Sequence, residues 1–138
     1  MKLPRLLAWC QASALMLAAC AAPRVATVST DDNFRIGGAV LNAAAEHHFA
    51  YREAVLSACA GNHAALLELL LFSRKTDGEA SLDHGMVLLA LRQRIGVEHF
   101  DNVSRSLDVD QKREIESLLE TSEKFHRATV ETLTRPHD

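Results

Sequence analysis

Between residues 34 and 134, apolar side chains recur at intervals of three and four, the spacing that lines one face of an α-helix. A first helical segment is expected from Phe34 or Val40 to Ala60, with an interruption at Gly37 and Gly38, because paired glycines weaken a helix. At 100° per residue, Leu41, Ala44, His48, Tyr51, Val55 and Cys59 share one side of it. Gly61 and Asn62 end the segment and offer a cap for the next, His63 to Ser73, where AALLELLLF is apolar nearly all round except at Glu68. Such a segment belongs in the middle of a bundle.

Lys75, Thr76, Asp77 and Gly78 form a turn, and a third helix follows from Glu79 to Ile95. Its main face carries Leu82, Met86, Leu89 and Ala90, widened by Val87, Leu88 and Leu91. Gly96 stops it, and a short helix from Val97 to Leu107 is expected to turn Phe100 and Val103 inward. Asp108 or Asp110 caps the last helix, which runs to Thr134 and directs Ile115, Leu118, Leu119, Ser122, Phe125 and Thr129 inward, with Pro136 marking its end. Its acidic residues Asp110, Glu114, Glu116 and Glu120 read as a solvated face near the positive end of the helix dipole.

No run alternates β-branched and polar residues as a strand would. The fold class is therefore all-α, a single four- to five-helix bundle over residues 31–138, with a short helical solenoid as the alternative. No internal repeat of fixed pattern supports the solenoid. A length of 138 residues, with 48% hydrophobic and 24% charged side chains, fits one ordinary globular domain.

The first nineteen residues follow different rules. MKLPRLLAWCQASALMLAA opens on Lys2 and Arg5 and continues apolar from Leu6 to Ala19, broken by Gln11 and Ser13. That is a signal-peptide layout, too short and interrupted for a spanning helix of about 20 apolar residues. The run Leu17, Ala18, Ala19, Cys20 resembles the lipobox of bacterial prolipoproteins, with Leu three places before the Cys and small residues between. The resemblance implies that residues 1–19 are cleaved and that Cys20 carries a diacylglycerol, with a third acyl chain such as palmitate on its freed amine. Residues 20–30 then form the lipidated Cys and a short tether. Ala21 and Ala22, rather than Asp, follow the Cys, which by the enterobacterial sorting rule implies the periplasmic face of the outer membrane. An ordinary secretory signal cut near Ala19 or Ala22 and an uncleaved anchor are the rival readings. One acyl chain holds a protein to a bilayer only marginally, whereas two or three hold it effectively permanently.

Charge and cysteine content narrow the chemistry. The formal net charge is −3, and removing Lys2 and Arg5 from the 15 basic residues leaves 13 against 18 acidic ones, which excludes a phosphate-backbone grip on nucleic acid. With Cys10 lost in the leader and Cys20 acylated, Cys59 has no intramolecular partner, so no disulfide is expected and Cys59 reads as a small buried apolar residue.

Seven histidines raise a metal reading, because imidazoles three or four residues from another ligand share a helix face. Cys59 and His63 have the interval, but Gly61 and Asn62 intervene; His47 and His48 point about 100° apart. Glu123 and His126 resemble one half of the di-iron motif of ferritin-like bundles, without an identifiable second half. His48 and Arg52, beside an apolar face, and Glu68 in the most apolar helix either pair with one another when buried or lie on exposed strips. No nucleophile elbow, zinc-protease motif, phosphate loop or dinucleotide fingerprint occurs, and Ser57, Ser73 and Ser81 have no nucleophile context. No catalytic residue and no cofactor is assigned. The sequence thus leads to an expected lipid-anchored periplasmic module, attached to the membrane through Cys20, with a noncatalytic binding or structural role and an envelope protein as the partner. The alternative is a metal or small-ligand binding bundle using His48, Glu123 and His126.

Overall fold

The computed structural model describes residues 35–134, with side chains through residue 132; the predicted leader, Cys20, the tether and Pro136 lie outside the described residues. The architecture is an all-α bundle. Six α-helices occur among the described residues: α1 (Gly38–Glu46), α2 (Tyr51–Cys59), α3 (His63–Phe72), α4 (Gly78–Ile95), α5 (Val97–Ser104) and α6 (Val109–Thr134), with a 3-10 turn at Ser73–Lys75. No helix among the described residues is long and apolar enough to cross a membrane.

Three of the expected boundaries are set by local chemistry. The Asn62 side chain accepts from the Ala65 N–H at 3.2 Å and caps α3. Asp108 and Gln111 form a reciprocal capping box at α6: the Gln111 N–H donates to Asp108 Oδ1 at 2.8 Å, and the Asp108 N–H donates to Gln111 Oε1 at 2.9 Å. Gly96, at φ +91°, separates α4 from α5.

The expected first helix is two helices. α1 closes in a Schellman motif, with the His48 N–H donating to the Ala45 carbonyl at 3.1 Å and the Phe49 N–H to the Ala44 carbonyl at 2.8 Å. His48 occupies the left-handed position of that motif, at φ +52°. Glycine usually fills this position; histidine is among the side chains that tolerate it best. Phe49 then stacks on Phe72, with ring centroids 4.7 Å apart, and Tyr51 meets Phe72 edge-on at 5.5 Å, so the turn is fastened to the end of α3.

At the other end of α1 the cap comes from a different helix. Asp83, on α4, accepts from the N–H groups of Ala39 and Val40 at 3.2 and 3.4 Å. A Cβ at position 37 would collide with the Asp83 carboxylate, so Gly37 is required by this approach.

α4 is the hub of the bundle, packing against α1, α2, α5 and α6. Its buried face is Ala80, His84, Gly85, Val87, Leu88 and Leu91. The expected main face, Leu82, Met86, Leu89 and Ala90, is only half-buried. A hydrophobicity pattern ranks His84 as polar and Gly85 as neutral, and so rotates the predicted face away from the true one. α3 buries Ala65, Leu66, Leu69, Leu70 and Phe72, while Leu71 is 39% exposed, so α3 is one-sided rather than enveloped. On α6, Ile115, Leu119 and Ser122 are buried as expected, but Phe125 is 52% exposed and Thr129 is also exposed. Ile115 and Leu119 belong to the shared core, whereas Phe125 lies beyond it.

Candidate functional site

Among the described residues, a chain of buried polar side chains crosses the interior. Tyr51 from α2, His84 from α4 and Ser73 from the 3-10 turn are all buried, with Tyr51 Oη 2.6 Å from His84 Nδ1 and His84 Nε2 3.1 Å from Ser73 Oγ. Burial pushes His84 down to about 4, against the smaller upward pull of a hydrogen bond to the Leu69 backbone. Burial, and secondly the charge of Asp83, pushes the Tyr51 phenol up, so it keeps its proton.

The Tyr51 and Ser73 hydroxyls can each donate or accept, so the chain accommodates a proton on either nitrogen of the neutral His84 ring. Ser73 and His84 are within the reach of a nucleophile and its base. The chain ties α2, the 3-10 turn and α4 together through the core.

Ser73 also lines a cleft of about 320 Å³ between the 3-10 turn, the start of α4 and the middle of α6. Ser122 lines the same cleft, is 0% exposed, and its Oγ has no hydrogen-bond partner. Leaving a buried hydroxyl unpaired costs about 1–3 kcal/mol. Gly85 faces it: a Cβ there would collide with Ser122 Oγ, so the absent side chain lets α4 and α6 meet closely. Glu114 on the cleft wall pairs with Arg74 at 3.1 Å.

A second, more apolar groove of about 590 Å³ runs between α4 and the second half of α6. Met86, Leu89, Ala90 and Val97 contribute apolar surface, and Glu123 and His126 lie along it. Glu123 pairs with Arg127 at 3.2 Å, and both Glu123 and His126 are exposed. His48 is not among the residues lining this groove; it is exposed in the turn after α1. Among the described residues, no three His, Cys, Asp or Glu side chains gather as a metal site would require.

The remaining candidates are dispersed. Arg52 and Glu68 are both exposed, so the exposed-strip reading describes them and the buried pair does not form. Cys59 is free and half-buried against the core, less enclosed than expected, and burial pushes its thiol up. His63 and His99, distant in sequence, meet edge-on with centroids 4.5 Å apart. Sequence reasoning missed His84 and the role of Ser73 and Ser122. The local signal was a histidine and a glycine side by side, immediately before the apolar run at residues 86–91 of α4.

Comparison of the chain with protein-family models, curated proteins and solved structures finds no match.

Proposed function

We propose that this protein is a lipid-anchored helical module of the bacterial cell envelope, held by acyl chains on Cys20 at the periplasmic face of the outer membrane and acting by binding rather than catalysis. The observation that carries the reading is the run Leu17, Ala18, Ala19, Cys20 after a cationic, apolar leader. The noncatalytic part is supported by the lack of a nucleophile elbow, zinc-protease motif, phosphate loop or dinucleotide fingerprint in the sequence. The groove between α4 and α6, with apolar walls and ion-paired rims, gives an envelope protein a surface to meet.

The test is metabolic labelling with an alkyne fatty acid, combined with mass spectrometry of the native polypeptide. The wild-type chain is expected to incorporate label, to begin at Cys20 with the mass of its acyl chains, and to leave the membrane only with detergent. Cys20→Ser is expected to lose the label and retain the leader. An unmodified residue 20 in the native chain, or undiminished labelling of the variant, overturns the anchor.

A further inference from the structure

The chain enters the bundle at a fixed point. Gly37, two residues after the first described one, has its backbone against the Asp83 carboxylate on α4, and Ile36 beside it packs half-buried on the core. From Asp83 onward, Met86, Ala90, Arg94 and Val97 follow at steps of three and four, so the five share one face of α4. Met86, Ala90 and Val97 of that stripe, together with Leu89, are the apolar side of the 590 Å³ groove between α4 and α6. The point of entry and the groove lie on one line. The groove is also open: Met86, Leu89 and Ala90 are only half-buried, Val97 is 53% exposed, and Val130 on the α6 wall is 45% exposed.

The residues just before the entry point, Asp31, Asp32, Asn33 and Phe34, match this line in length and in character. An extended chain advances about 3.3 Å per residue and an α-helix about 1.5 Å. Phe34 therefore lies about 10 Å back from Gly37, and Ala90 lies about 10 Å along α4 from Asp83, which brings Phe34 level with Ala90 and its neighbours Met86 and Leu89. Asp32 and Asp31 lie about 17–20 Å back and come level with Arg94, about 17 Å along. Arg94 is exposed in the last turn of α4 and forms no salt bridge among the described residues. An aromatic side chain thus meets the apolar stretch, and an acidic pair meets an unpaired cation.

We propose that residues 31–34 of this same chain dock in the α4–α6 groove, antiparallel to α4, with the Phe34 ring against Met86, Leu89 and Ala90 and the acidic pair at Arg94. The docking itself needs no partner. Its consequence rests on the reading of the groove as a binding surface: an envelope protein reaches the apolar wall only by displacing Phe34, so the segment and the partner exclude one another. The tether then leaves the bundle beside the junction of α4 and α5.

The experiment places the photo-crosslinking residue p-benzoylphenylalanine in place of Phe34 in the full chain, purified in detergent. After irradiation, gels separate monomer from dimer and mass spectrometry maps the joined peptides. A crosslink within one chain to residues 86–90 is expected. Arg94→Glu, an exposed change that leaves the fold intact, is expected to lower its yield about two- to fivefold. Without the crosslinker, Phe34→Ala is expected to shift the methyl resonances of Met86 and Leu89 by removing a ring current, while those of the core residues Leu66 and Leu70 stay in place. Crosslinks found only in a covalent dimer assign the groove to a second copy and overturn the proposal. Crosslinks confined to α1, α2 or α3, or unmoved Met86 and Leu89 methyls in Phe34→Ala, overturn it as well. The same crosslink in a full-length Cys20→Ser chain that takes up no fatty acid separates docking from the fate of the anchor.

Discussion

The Tyr51 hydroxyl lies 2.6 Å from His84 Nδ1, and that contact joins α2 to α4 at the centre of the bundle. Tyr51→Phe leaves His84 Nδ1 buried and unpaired. Chemical denaturation at neutral pH is expected to show a loss of about 1–3 kcal/mol. In the double variant Tyr51→Phe, His84→Phe, the two losses are expected to be less than additive, because the second substitution removes the orphaned ring nitrogen.

His84 also sets a dependence on acid. Its pKa is lowered from 6.5 to about 4 in the folded chain, so the unfolded chain binds the proton first. Stability is whole above pH 6.5 and falls as pH drops toward 4, by on the order of 3 kcal/mol across that window. Unfolding curves at pH 7.5, 6 and 4.5 for the wild type and His84→Gln measure it. The variant is expected to lose this component, leaving only the shallower decline from carboxylate protonation.

Gly85→Ala introduces a Cβ where Ser122 Oγ now sits, with Leu118 Cδ1 3.1 Å away. Forcing α4 and α6 apart is expected to cost about 1–3 kcal/mol. Adding Ser122→Ala is expected to recover part of the loss, and the remaining deficit reports the Leu118 contact.

His48 holds a left-handed conformation that a β-carbon disfavours by about 1–2 kcal/mol. His48→Gly is expected to raise stability by up to about 1 kcal/mol, the gain reduced by the greater freedom of glycine in the unfolded chain. His48→Val is expected to lower the melting temperature. Thermal melts of the two variants check both signs.

What was readable in the sequence was local. Asn62, Gly96 and Asp108 act on groups within a few positions of themselves, so the helix boundaries they set could be foreseen. The break at His48 could not, because neither proline nor glycine marks it and the turn is fastened by Phe49 stacking on a residue of another helix. Phe125 obeys the helical period of α6 yet is exposed, since periodicity says which way a side chain points and not how far the neighbouring surface extends. Ser73, Ser81 and Ser122 come from separate segments, and their meeting at one cleft is a product of packing alone. Glu123 and His126 do share a groove, as their spacing suggests, but His48 belongs to another part of the molecule.

Gly37 and Asp83 give the bundle a mechanical property. A load arriving from the N-terminal side meets the first turn of α1, whose backbone amides are gripped by a carboxylate on the central helix. Tension would thus be delivered to the middle of the molecule instead of peeling a helix from its rim, and rupture would require the innermost contacts to yield together.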